Sequence, residues 1–158
     1  MKLNIFSHID APCHCEEGVS PTRQSINERK FINIAKKVLK YYLSTVRDKS
    51  CLAGLEFNTI SFDILYTDSA KTHQINKEYR GKDYAADIIT FAIFADSQEK
   101  FIFDGEINLG EIIIALDKVE GDGLSFLISH GILHLLGFDH QTEEDYNFVV
   151  GLQREALK

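Results

Sequence analysis

Two histidines four residues apart in an apolar run, with a glycine three residues further on and a third histidine three beyond it, constrain this 158-residue chain most. The stretch reads Ser129-His130-Gly131-Ile132-Leu133-His134-Leu135-Leu136-Gly137-Phe138-Asp139-His140. On a helix, side chains at i and i+4 share one face, about 5–6 Å apart at Cβ. His130 and His134 can therefore reach one metal ion if the run is helical. Gly137 can adopt the left-handed conformation that ends a helix and turns the chain. His140 is then expected to swing back toward the same ion.

Three neutral imidazoles hold zinc at about 2.0–2.1 Å and leave a fourth tetrahedral position open to water, the arrangement of a catalytic rather than a structural site. No ligand charge offsets the cation, so bound water should be acidified and an anion such as phosphate attracted. A single histidine on an apolar helix is more often a hydrogen-bonded core residue. Three at these offsets around a helix-ending glycine point to a metal. The same donors also accept nickel, copper or cobalt. One group of zinc proteases shares the spacing, but its pattern opens His-Glu. Gly131 occupies that second position here, so a protease would lack its general base.

The length and a hydrophobic content of 44% suit one domain, residues 1–158, with a substantial core. A net charge of −7 argues against a general nucleic-acid coat, which needs clustered Lys and Arg. The charge is uneven. Between Thr22 and Lys49 stand Arg23, Arg29, Lys30, Lys36, Lys37, Lys40, Arg47 and Lys49 against only Glu28 and Asp48. That stretch reads either as the solvated face of a helix or as a face turned toward RNA. Residues Met1 to His8 lack the apolar core of a signal peptide, and no run approaches transmembrane length, so a cytosolic protein is expected. Cys13, Cys15 and Cys51 fit free thiols in a reducing compartment. Cys13-His14-Cys15 offers too few ligands for a metal clip and reads as a loop.

Along the chain, Leu3 to Ile9 is expected as a strand and Asp10 to about Thr22 as a loop. Ile26, Phe31, Ala35, Val38, Leu39, Tyr42 and Leu43 mark the apolar stripe of a long helix. Ile60, Phe62, Ile64 and Tyr66 give a strand from Phe57 to Tyr66 one well-buried face. Thr67 or Asp68 caps a short helix to Tyr79, followed by a polar turn, Arg80-Gly81-Lys82-Asp83. Ile88 to Ala95 reads as a strand, Asp96 to Lys100 as a hairpin-like turn, and Phe101 to Phe103 as a short return strand broken at Asp104-Gly105. Glu106 to Leu116, with Ile112-Ile113-Ile114 apolar on both faces, is expected to be central. The metal helix should span about Leu124 to Leu136, and a last helix should start near Thr142, where Thr142 and Asp145 suit a capping box. The order implies an α+β fold with a small mixed sheet of about four strands and helices packed around it.

Three blocks carry a resemblance. His130-Gly131-Ile132-Leu133-His134-Leu135-Leu136-Gly137-Phe138-Asp139-His140 is similar to the signature of the YbeY family of metal-dependent endoribonucleases. Asn76-Lys77-Glu78-Tyr79-Arg80-Gly81-Lys82-Asp83 with Asp87-Ile88-Ile89-Thr90-Phe91 resembles a second family block. Leu109-Gly110-Glu111-Ile112 resembles a third, in which the family usually has Asp at the position of Glu111. The likeness covers roughly residues 68 to 157. Ala85 and Ala86 stand where relatives commonly carry Pro and Thr.

The resemblance implies a zinc-dependent endoribonuclease acting on single-stranded RNA in rRNA maturation and ribosome quality control, with the ribosome or its proteins as partners and no membrane. It marks Arg80 as functionally important. A guanidinium pairs with two phosphate oxygens in a fixed fork, so Arg80 is the expected catalytic clamp. Lys82 could add charge, Asp87 reads as structural, and Asp139 either orients a ligand imidazole or caps the helix end. Two other readings stay open: an assembly factor that binds ribosomal RNA or protein around a structural zinc, and another metal-dependent hydrolase.

Overall fold

The computed structural model describes residues 1–10 and 27–158. In chain order its elements are strand β1 (Lys2–Ile9), helix α1 (Glu28–Thr45), strand β2 (Thr59–Thr67), helix α2 (Ser69–Arg80), strand β3 (Ile88–Phe91), the one-turn helix α3 (Ile93–Asp96), strand β4 (Glu106–Ala115), helix α4 (Gly123–Leu135) and helix α5 (Glu143–Leu157). The expected loop from Asp10 to Thr22, Cys13-His14-Cys15, Arg23 and Ile26 lie mostly or wholly outside the described residues.

The four strands form one mixed sheet in the order β1-β2-β4-β3. β1 and β4 run parallel to β2, and β3 runs antiparallel to β4. The expected small mixed sheet with helices around it is therefore present. Its two inner strands are apolar because both faces are covered. Ile60, Phe62, Ile64 and Tyr66 of β2 are at most 1% exposed and join Ile107, Leu109, Ile112 and Ile114 of β4 beneath α1, α4 and α5. Ile113 belongs to a second, smaller cluster with Ile75 of α2 and Ile89 of β3. Successive residues of a strand point to opposite faces, so the triple isoleucine serves both layers.

β4 contains an irregularity that the alternating pattern hides. Ser61 pairs with Asn108, but Asp63 pairs with Glu111, so β4 holds one residue more than β2 across that step. Gly110 takes a φ of +123° there, and its N–H donates to Asn108 Oδ1 at 2.9 Å. A Cβ at residue 110 would stand 2.0 Å from the Phe91 carbonyl oxygen. The backbone leaving β3 crosses over this bare position.

That crossing corrects one expectation. The strand expected from Ile88 to Ala95 ends at Phe91, and α3 follows in place of its second half. The Lys100 ammonium explains the helical turn: it donates to the carbonyl oxygens of Phe94, Ala95 and Ser97 at 2.6, 2.8 and 3.0 Å, satisfying the end of α3. Phe101 to Phe103 is likewise no strand. Only Phe103 bridges, to Glu106, across Asp104 and Gly105, whose φ values of 48° and 72° are those of a tight two-residue hairpin turn.

α1 packs on α4 and α5 through Ala35, Val38, Leu39 and Tyr42, with the Tyr42 hydroxyl 2.6 Å from Ser129 Oγ on α4. Burial pushes the Tyr42 phenol up to about 12, so it stays a neutral hydrogen-bonding group. The connection after α1 is pinned to the end of α4, where Cys51 N–H donates to Leu136 O at 2.9 Å. Cys51 is a free thiol whose pKa burial raises. Among the described residues no helix is long and apolar enough to cross a membrane.

Candidate metal centre

α4 is built to end where it does. Gly137 takes a φ of +86°. Its N–H donates to His134 O at 2.9 Å, and Phe138 N–H reaches back to Leu133 O at 3.0 Å. These two bonds close a Schellman stop, satisfying carbonyls that the helix leaves free. Asp139 then shapes the loop: its Oδ1 accepts from His140 N–H at 2.8 Å and its Oδ2 from the Gln141 amide at 2.7 Å. Both oxygens bond within the loop, and neither hydrogen-bonds a ligand imidazole. The Gln141 amide and the His140 N–H hold its pKa below the usual range. Three residues after Asp139, Thr142 and Asp145 form the expected capping box at the start of α5.

The result is a convergence of three imidazoles. His130 Nε2 lies 3.0 Å from His134 Nε2. The His140 ring centroid is 5.2 Å from both of the other rings. One donor atom from each ring lies within 4.8 Å of the others, and no other trio of His, Cys, Asp or Glu converges this way among the described residues. Tetrahedral bonds of about 2.0–2.1 Å separate donor atoms by about 3.3 Å, so the donor set can hold one ion after small ring movements. Burial, and then the neighbouring rings of His134 and His140, push the His130 pKa down to about 4. Burial also lowers that of His134, with His140 adding to the effect. These two rings are thus neutral at pH 7, with lone pairs free for a cation.

Gly131 is closed to any side chain. A Cβ there would meet Ile112 Cδ1 at 2.8 Å and Cγ2 at 2.9 Å. The glycine that replaces the protease glutamate therefore brings the metal helix down onto the central strand.

Arg80 is the last residue of α2 rather than part of the turn after it. Asp68 caps the helix start by accepting from Lys71 N–H, and Gly81, at a φ of 64°, ends it. The Arg80 charge lies close enough to His134 to disfavour its protonated form. Lys82 is exposed, and Asp83 braces the turn against His73 at 2.7 Å and Lys77 at 3.3 Å. The next segment is held by its carbonyls. Asn76 Nδ2 donates to Tyr84 O at 3.0 Å, Lys118 Nζ to Ala85 O at 2.9 Å, and Thr72 Oγ1 to Ala86 O at 2.7 Å. No side-chain hydroxyl at residue 86 is needed to fix it. Asp87 accepts from Ile88 N–H at 2.9 Å, and its charge lies within electrostatic range of His130.

Two flanking side chains escaped the sequence reading. Phe126 stacks on His130 with centroids 6.4 Å apart, and Tyr146 stands edge-on to His140 at 6.1 Å. Both are substantially exposed, at 42% and 54%. Phe126 stands four residues before His130, a spacing that places it on the same helix face. Tyr146 carries no comparable signal.

A family model described as Endoribonuclease YbeY matches residues 19–158. Endoribonuclease YbeY of Malacoplasma penetrans is 33% identical over 150 residues, covering 85% of this chain and 91% of its own length. That of Syntrophomonas wolfei is 30% identical over 145 residues, covering 84% and 92%. The solution structure of TM1509 from Thermotoga maritima superposes with a TM-score of 0.51 at 16% identity, over 98% of this chain and 86% of that one, a likeness of fold. On the family match and these relatives, the chain belongs to the endoribonuclease YbeY family.

Proposed function

We propose that this chain is a zinc-dependent endoribonuclease that cuts single-stranded ribosomal RNA during its maturation and in ribosome quality control in the cytoplasm. His130, His134 and His140 would hold the ion, and Arg80 would clamp the phosphate. The observation that carries the reading is the convergence of three imidazole donors within 4.8 Å of one another, in a chain whose relatives are endoribonucleases.

When bound, zinc supplies Lewis-acid chemistry, drawing charge from a phosphoryl oxygen and lowering the pKa of water. The remaining tasks fall to the chain. His130 and His134, kept neutral largely by burial, present lone pairs rather than positive charge. Asp139 closes the loop that delivers His140. The Arg80 fork binds two phosphoryl oxygens and offsets charge as it builds on phosphorus. The exposed faces of Phe126 and Tyr146 offer stacking surfaces to unpaired bases, which a duplex keeps inside its stack. That favours single strands. Arg29, Lys30, Lys37 and Lys40 are exposed along α1 and can meet phosphates of a longer RNA.

Purified protein carrying one zinc per chain tests this on single-stranded RNA. Cleavage should be abolished by His134→Ala and by Arg80→Ala, and should fall about 10²-fold with Arg80→Lys, which supplies a point charge without the fork. Wild-type rates in both alanine variants would remove the proposal. Zinc-dependent folding with no cleavage by any preparation would favour the RNA- or protein-binding factor instead.

A further inference from the structure

Gln153 is the one residue of α5 that is both polar and fully buried, at 0% exposed. It shares the inward face of the helix with Val149, Leu152 and Ala156. Among the described residues neither atom of its side-chain amide has a hydrogen-bond partner. An unsatisfied buried polar group is destabilising. An apolar residue at this place would avoid that cost, so the amide calls for a role.

Its surroundings supply one. α5 packs against α4 and brings the Gln153 side chain beside the His130 imidazole, though not into a direct hydrogen bond. His130 turns Nε2 toward His134, so Nδ1 points out of the trio. A neutral imidazole carries its proton on one nitrogen and its lone pair on the other. Nε2 can act as a donor to a cation only if Nδ1 keeps the proton, and a buried N–H needs an acceptor.

We propose that Gln153 is a positioning residue whose amide oxygen accepts the His130 Nδ1–H, locking the tautomer and ring plane that aim the Nε2 lone pair into the metal centre. The inference rests on the three-histidine metal reading. It adds a support that comes from the last helix rather than from the signature stretch. Metal-bound histidines commonly hydrogen-bond an acceptor through their second nitrogen, and losing that acceptor lowers metal affinity about 10–100-fold. A neutral amide does this without placing a buried carboxylate next to the site.

Two measurements test it. Long-range proton–nitrogen NMR on metal-free wild-type protein at pH 7.5 should find the His130 proton on Nδ1; a proton on Nε2 overturns the proposal. Zinc competition against a chromophoric chelator should show Gln153→Leu binding about 10–100-fold more weakly than wild type, with Gln153→Glu, which keeps an acceptor oxygen, recovering most of the loss. Wild-type affinity in a folded Gln153→Leu variant also overturns it. If Gln153→Leu does not fold, the NMR result on the wild type decides alone. Failure of the wild type to bind zinc removes the metal reading itself, an outcome separate from either failure of Gln153.

Discussion

Gly131 of α4 lies so close to Ile112 of β4 that a methyl group on the glycine would stand 2.8–3.0 Å from three atoms of the isoleucine side chain. Ile112 is wholly buried, so it has nowhere to move. The metal helix therefore sits at a height above the sheet set by a missing side chain.

Gly131→Ala brings two opposed effects. Alanine gains about 1 kcal/mol of helix propensity, while overpacking a filled core costs about 1–3 kcal/mol. The contacts include two atoms on the Ile112 Cβ, which a rotamer change cannot clear together, so a net loss on the order of 1 kcal/mol is expected. Ile112→Ala alone should cost about 2–5 kcal/mol. The double variant should lose less than the two single losses combined, by about 1 kcal/mol. Urea denaturation of the four proteins checks this, and additive losses would contradict the contact.

Gly137 poses a different problem. Its Cβ would meet nothing nearer than 3.5 Å, at Ala95 Cβ, so space is available. The penalty comes from the left-handed backbone alone, about 1–2 kcal/mol for alanine. Gly137→Ala should lower stability by that amount and weaken zinc binding, because the stop delivers His140. Gly137→Asn should recover part of both losses, since asparagine tolerates this conformation. Thermal unfolding with a zinc titration reads both; an alanine variant with unchanged zinc affinity would mean that the turn does not position the third ring.

Acid should destabilise the metal-free protein through His130. The folded-state pKa is depressed to about 4, against about 6.5 in an unfolded chain. Between those values the unfolded state binds the extra proton, so stability falls as pH drops from about 6.5 toward 4 and levels off for this group below that. His134, also lowered, adds to the same slope. His130→Asn should flatten it. Denaturation midpoints for wild type and variant at pH 7.5, 6 and 5, with chelator present, give the difference. Parallel curves would show that His130 is not held neutral by the fold.

The parts legible in the sequence were those whose signals are local. His130 and His134 at helical spacing, the stop at Gly137 and the Thr142–Asp145 cap each depend on a few neighbouring residues, and the structure has them where the pattern put them. The inner strands were legible because Ile60 through Tyr66 and Ile112 through Ile114 show their burial directly. What stayed hidden depends on contacts across the chain. The apolar run after Ile88 reads as a longer strand because the Lys100 ammonium that holds α3 lies four residues past its end. The extra residue in β4 is invisible until β2 pairs with it. Gln153 stands four residues after Val149 and three before Ala156, a spacing that marks the inward face, but nothing near it in sequence says what it meets there.

At residue 110 the fold admits a single amino acid. The corridor between the departing end of β3 and the strand beneath it is wide enough for a hydrogen atom and no carbon, because the nearest backbone oxygen would lie 2.0 Å from a Cβ. Neither a roomier core nor a softer loop elsewhere widens that passage. Any sequence that keeps this crossing must keep glycine at that address, however freely the surrounding surface drifts.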